Sequence, residues 1–195
     1  MNVIRQHKSN GYDEAAEDFI SARNPRIGAS VVREWSRGLA HGSSILDLGC
    51  GHGVPISQVL VEEGFDVYGV DASVKLIRKF RERFPNAHAE RSAVEYSDFF
   101  GRTFDGIVAC GLMFLLTADI QVGVIRKIGR ALNRGGKFVF TAPKEAVTWR
   151  DSLTGRESIS LGSELYEKIL RAEGLLLVGE QFDEGQNHYY LVSKL

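Results

Sequence analysis

The feature that most limits what this 195-residue chain can fold into is the alternation of short apolar runs with amphipathic stretches. SILDL, FDVYGV, NAHAE, FDGIVAC and GKFVFTA have the length and residue types of strands, and helical spacing lies near 54–63, 73–83, 118–132 and 163–173. Strand, helix and strand in succession specify a parallel sheet covered by helices on both faces. Near the end, LLLVGEQF and HYYLVS are separated only by residues 183–187, too few for a helical crossover, so they pair as an antiparallel hairpin and the sheet ends with one reversed strand. Two helices precede the first strand. One runs from Tyr12 to about Ala22; Asn24-Pro25 reads as a cap and first-turn proline opening the second, which continues to about Arg37. The expectation is one domain over 1–195, with a helical cap at 1–40. The one long gap, 143–162, PKEAVTWRDSLTGRESISLG, exceeds an ordinary connection and reads as a lid-like loop.

Composition narrows the partners. Lys and Arg total 24 against 25 Asp and Glu, without a long basic block, which argues against nucleic acid and for a small molecule. No apolar run reaches the roughly 18 residues of a membrane span, so no membrane partner is expected. The polar N-terminus lacks the charged start and apolar stretch of a secretory signal, which points to the cytoplasm. Cys50 and Cys110 form neither a disulfide framework nor a metal-ligand spacing, so no metal is expected.

ILDLGCGHG places Gly49, Gly51 and Gly53 directly after a strand and before a helix, where the backbone must turn tightly and approach a ligand. The dinucleotide pattern requires glycine at the first, third and sixth positions, but the sixth from Gly49 is Val54, which argues against a nicotinamide oxidoreductase. The next strand ends in Asp71, 24 residues after Asp47. A carboxylate there can accept both hydroxyls of a ribose. It can also belong to a turn, although Ser73 suffices as the helix cap.

Together, Asp47-Leu-Gly-Cys-Gly-His-Gly53, Asp71-Ala-Ser, Phe104-Asp-Gly-Ile-Val-Ala-Cys-Gly111 and Leu132-Asn-Arg-Gly-Gly136 resemble the class I S-adenosylmethionine-dependent methyltransferases, in order and spacing, over roughly 40–142. The resemblance implies a Rossmann-like, mostly parallel seven-stranded sheet with an antiparallel C-terminal strand, and S-adenosylmethionine as cofactor. It implies that Asp47, Gly49, Cys50 and Gly51 line the methionine portion, that Asp71 takes the ribose hydroxyls, and that Ala93 and Val94 meet the adenine, with Ala72 a further cofactor-binding candidate. Ser92 stands where many relatives carry an acidic residue; with Glu95 it also fits a capping box. Cys110 would border the methyl group, and both cysteines read as small pocket-lining residues rather than reactive thiols. Tyr12 and Arg23 would close over the cofactor, Arg23 toward its carboxylate.

Methyl transfer depends on alignment, and a base helps when the acceptor is a hydroxyl or a protonated amine. Leu112-Met-Phe-Leu-Leu116 offers no base after the fourth strand, and no Asn/Asp-Pro-Pro-aromatic tetrad of base-methylating nucleic-acid enzymes is present. In the hairpin, His188 is the candidate general base, with Asp151 a second catalytic candidate; Trp149, Asn187 and Tyr189 are candidates for acceptor binding. His188 and Tyr190 share one face of their strand and Tyr189 takes the other. Asp183-Glu184-Gly185 reads mainly as a turn. Asp151 and Asp183 suit an amine, Arg150 and Arg156 a carboxylate or phosphate, so charge alone leaves the acceptor open. The expected activity is transfer of a methyl group to an O or N nucleophile of a small molecule, by a monomer or homodimer. The alternative is a non-catalytic sensor or accessory protein that binds the same cofactor.

Overall fold

The five apolar runs become strands β1 (Ser44–Leu48), β2 (Asp66–Asp71), β3 (His88–Arg91), β4 (Phe104–Ala109) and β5 (Leu132–Thr141) in the computed structural model, which describes residues 8–195. A small hairpin, β6 (Ala146–Arg150) and β7 (Glu157–Leu161), follows, then the terminal pair β8 (Leu175–Phe182) and β9 (His188–Lys194). The helices are α1 (Ala16–Ala22), α2 (Ala29–Ser36), α3 (Ile56–Glu62), α4 (Val74–Arg83), α5 (Ala118–Ala131) and α6 (Ser163–Ala172). Among the described residues, no helix is long and apolar enough to cross a membrane.

Seven strands form one sheet in the order β3-β2-β1-β4-β5-β9-β8. β9 runs antiparallel to both of its neighbours and β8 points the same way as the rest. The carboxyl ends of β1, β2, β4, β5 and β8 therefore meet at one edge of the sheet, where ligands bind in open α/β folds. The central strands are buried on both faces, and alternate residues feed two cores. Leu46, Ile107, Phe138, Phe140 and Tyr190 pack on one face; Ile45, Val108, Val139 and Tyr189 pack on the other with Trp35 of α2 and Phe80 of α4.

Two local expectations are corrected. Asn24 does not cap a helix: its side-chain oxygen accepts from the Arg26 amide at 2.9 Å and holds a turn. α2 starts later, after Gly28, which has φ 84°. The Glu184 carboxylate sits at this start, accepting from Gly28 N at 3.3 Å and from the Ser30 hydroxyl at 2.5 Å. Nor is 143–162 a loop. β6 and β7 pair from Ala146↔Leu161 to Arg150↔Glu157, leaving only 151–156 as a turn. The strand pattern was hidden because two inward positions of β7 are serines, Ser158 and Ser160, both buried. The Ser160 hydroxyl donates to the Pro143 carbonyl at 2.7 Å. In the expected helical cap, residues 1–7 lie outside the described residues.

Candidate active site

The glycine loop is pinned to the end of β2. Gly49 N and Cys50 N both donate to the Val70 carbonyl, at 2.8 and 3.1 Å. Gly51 N donates to Asp71 Oδ2 and Ser73 N to Asp71 Oδ1, each at 2.8 Å. Gly51 needs no side chain for this and adopts φ 56°, a left-handed conformation that glycine takes without strain. At Gly53 a Cβ would fall 2.3 Å from the Phe84 ring, so only glycine lets α3 sit against α4 this closely. Ser73 also caps α4, accepting from Leu76 N at 3.1 Å, which frees Asp71 from that duty.

Two carboxylates lie in this floor. Burial pushes Asp71 up to about 6, against the opposing pull of the Ser73 and Gly51 amides. Asp47 is raised to about 7 by burial, with the charge of Asp71 adding to the effect, although the Ser57 hydroxyl donates to it at 2.5 Å. Burial also raises the thiols of Cys50 and Cys110, which leaves them protonated and unreactive.

A cleft of about 430 Å³ opens above the loop, within the roughly 300–1,000 Å³ usual for small-molecule sites. Asp47, Gly49, Cys50 and Gly51 form its floor, Asp71 and Ala72 one end, and Ala93 and Val94 the wall beyond them. Cys110 lines the opposite end, while Tyr12 and Arg23 reach in from the N-terminal segment. Arg23 Nε donates to the Val54 carbonyl at 3.3 Å. Ser92 and Glu95 also line the cleft but form no capping box, since a turn rather than a helix follows. Ser92 Oγ donates to the Ala93 carbonyl, and Glu95 pairs with Lys8 at 2.9 Å.

Beyond Cys110 the structure sorts the remaining candidates. Thr141 at the tip of β5 accepts from Gly111 N at 2.7 Å and pairs with Tyr189 of β9, so this face of β9 continues the cleft wall. Asn187 and Tyr189 line it; His188 does not. The expectation of His188 as a base at the acceptor is corrected by strand parity, which sends its imidazole to the other face of the sheet. There Nδ1 donates to the Ala142 carbonyl at 3.1 Å, the ring packs on Phe182 and Tyr190, and Nε2 lies 3.4 Å from Glu180 Oε1. Trp149 is also displaced from the expected position. It stands behind Phe114, ring centroids 5.4 Å apart, and Phe114 is the side chain that lines the cleft. Asp151 does reach the cleft, with its oxygens already engaged: Oδ1 accepts from Leu153 N, Thr154 N and Thr154 Oγ1, and Oδ2 accepts from the Tyr12 hydroxyl at 3.2 Å.

Asp183, which the sequence offers as a turn residue and as a charge that suits an amine, lies deeper than sequence reasoning could place it. It does make the turn, accepting from Gly185 N and Asn187 N at 2.9 Å each. Yet its side chain is buried at 5% exposure, lines the cleft, and accepts from Asn187 Nδ2 at 3.0 Å and from the Tyr189 hydroxyl at 3.1 Å. The signal was the aspartate four residues ahead of Asn187, a spacing that closes a carboxylate-centred loop. Among the described residues, no group of His, Cys, Asp and Glu is arranged to hold a metal ion.

Residues 45–136 match the family model of a methyltransferase domain. The match covers just under half of the chain. No curated protein matches the sequence. Among solved structures, the methyltransferase fold recurs across nearly the whole length. Magnesium protoporphyrin IX methyltransferase from Synechocystis PCC 6803 is 14% identical, with 99% of each chain covered and a TM-score of 0.78. The 1,6-didemethyltoxoflavin-N1-methyltransferase of Burkholderia thailandensis is 18% identical, covering 93% of this chain and 83% of that one at a TM-score of 0.73. A TehB-like methyltransferase from Corynebacterium glutamicum ATCC 13032 is 23% identical, covering 95% and 97% at 0.69. The chain thus shares the fold of these methyltransferases, and the loop of 49–53, Asp71 and Cys110 line one cleft in it.

Proposed function

We propose that the protein transfers a methyl group from S-adenosylmethionine to an O or N nucleophile of a small molecule, as a single domain acting as a monomer or homodimer. The observation that carries this is the joining of the glycine loop to Asp71 through the 2.8 Å bond from Gly51 N, with both lining one cleft. The donor set fits the cofactor. Asp71 has lone pairs beyond those given to the two amides and takes the ribose hydroxyls. Ala93 and Val94 offer an apolar wall to the adenine, and Arg23 balances the carboxylate. When bound, the cofactor would supply a methyl group on a sulfonium, the acceptor's lone pair bonding to that carbon in line as the carbon–sulfur bond breaks and S-adenosylhomocysteine leaves.

The protein's own part is placement and exclusion of water, which can account for much of the acceleration, since well-oriented reactions reach effective molarities of roughly 10⁵–10⁸ M. Tyr12 and Lys8 cover the cofactor from the N-terminal segment, with Tyr12 tied to Asp151 and Lys8 to Glu95. The small-molecule character draws support from solved structures of the same fold that act on a porphyrin and on a toxoflavin precursor. Calorimetry with S-adenosylmethionine and with NAD tests the cofactor: heat from the first alone is expected, and binding of NAD instead would overturn the reading. Release of S-adenosylhomocysteine across a metabolite panel tests catalysis; tight cofactor binding with persistent silence would favour a non-catalytic sensor.

A further inference from the structure

Buried carboxylates are ordinarily paired with cations, because neutral hydrogen bonds alone compensate a charge incompletely in a low-dielectric site. Asp183 departs from that rule. Its oxygens receive two backbone amides, the Asn187 amide and the Tyr189 phenol, all neutral donors. Among the described residues it forms no ion pair, and neither does Asp151 across the mouth. Two cations line the same cleft, and both are committed elsewhere: Lys8 to Glu95, and Arg23, under the proposed function on which this inference rests, to the cofactor carboxylate. The acceptor end is therefore left with negative charge and no cation of its own.

Tyr189 directs that charge. Its hydrogen is given to Asp183, so the phenolic oxygen keeps lone pairs for a ligand that donates. Burial, the charge of Asp183 and the bond to it push its ionisation up, outweighing the opposing charge of Arg23, so it remains a neutral phenol. Gly28 fixes the hydroxyl from behind, since a Cβ there would lie 2.2 Å from it. Beside Thr141 and Asn187, an apolar surface of Ile27, Leu112, Phe114 and Leu115 completes this end.

We propose that the methyl acceptor is a basic amine on an apolar body, bound as its ammonium with one N–H received by the Tyr189 oxygen and its charge balanced by Asp183. That proton passes to Tyr189 as the phenol gives its own to Asp183, and the freed nitrogen lone pair bonds to the methyl carbon as the carbon–sulfur bond breaks and S-adenosylhomocysteine leaves. Tyr189 is the substrate-contacting group, and Asp183 acts through it and through its field. A carboxylate or phosphate acceptor would instead face uncompensated like charge, which opposes binding strongly.

Four probes on one scaffold test this by calorimetry on the protein loaded with S-adenosylhomocysteine: benzylamine, benzyl alcohol, benzoate and benzyl phosphate. Benzylamine is expected to bind about tenfold tighter than the alcohol, the scale of a hydrogen bond strengthened by charge, with both anions weaker still. Asp183→Asn keeps the shape and removes the charge, so the amine should lose its advantage over the alcohol. Tyr189→Phe leaves the charge and removes the oxygen, so amine and alcohol should weaken by a similar factor. Binding of S-adenosylhomocysteine by each variant reports that the fold is intact. Equal or tighter binding of an anion, an amine preference that survives Asp183→Asn, or no binding of any probe to loaded protein would each overturn the inference. Failure of the wild type to bind S-adenosylhomocysteine would instead refute the proposed function.

Discussion

At the scale of single residues, the two raised carboxylates make the site's behaviour depend on pH. Asp71 titrates at about 6 and can hold ribose hydroxyls well only when ionised. Cofactor affinity should therefore tighten up to about tenfold between about pH 5 and about pH 7, read by calorimetry. Stability runs the other way. A carboxyl whose folded value lies above the unfolded value of about 3.9 binds protons more strongly when folded, so its contribution is greatest in acid and is lost as pH rises through the folded value. For Asp47 that window extends to about 7. The melting temperature without cofactor should fall from about pH 5 to about pH 8, and Asp47→Asn, which keeps an acceptor for Ser57, should flatten the fall. A steeper fall in the variant would contradict the assignment. His188 tests a different kind of residue. Because its imidazole holds Ala142 and packs on Tyr190 away from the cleft, His188→Ala should cost about 2–3 kcal/mol, some 5–10 °C in melting temperature, while turnover stays nearly intact. A large loss of turnover at unchanged cofactor affinity would restore it as a catalytic candidate.

At the scale of elements, the hairpin of β6 and β7 acts as a clamp on the N-terminal segment. Asp151 holds the hairpin turn through Leu153 and Thr154 and holds the segment through Tyr12. Asp151→Ala should speed hydrogen exchange at the Leu153 and Thr154 amides and weaken cofactor binding about three- to tenfold, while Tyr12→Phe, which leaves the turn intact, should affect only the second. Exchange unchanged in Asp151→Ala would show that the turn stands without the carboxylate. These elements also mark where the sequence was readable. The run SILDL, the glycine loop and Asp71 were legible because strand burial, tight turning and the strand-end carboxylate each demand particular residue types at fixed spacing. The hairpin was not, because serines filled the inward positions where apolar residues would have announced a strand. Parity along β9 was legible, separating His188 from Tyr189. Which of the two faces the cleft depends on the pairing of Thr141 with Tyr189, a tertiary fact. Asp183 was legible as a turn residue and as a charge that suits an amine, but its burial was not, since spacing carries no information on depth.

At the scale of the whole molecule, the cleft is the place where parts distant in sequence meet. Its walls come from the N-terminal segment, the ends of β1, β2 and β4, the hairpin turn and the loop before β9. Glu184 ties the last loop to the start of α2. A ligand that touches all these walls binds the folded chain and has nothing to hold in the unfolded one. It then stabilises by RT ln(1 + [L]/Kd), about 2.7 kcal/mol at a hundredfold excess over Kd. At roughly 2–4 °C per kcal/mol for a chain of this size, S-adenosylhomocysteine should raise the melting temperature by about 5–10 °C, and NAD at the same concentration should not. Glu184→Ala should lower the melting temperature of the free protein, as loss of a helix cap does, by about 1 kcal/mol. The shift produced by S-adenosylhomocysteine should survive that substitution, because Glu184 holds the wall from outside the cleft. A shift abolished in Glu184→Ala would mean that the loop before β9 is ordered by α2 and not by the ligand, and that the cofactor's grip extends further toward β9 than Cys110.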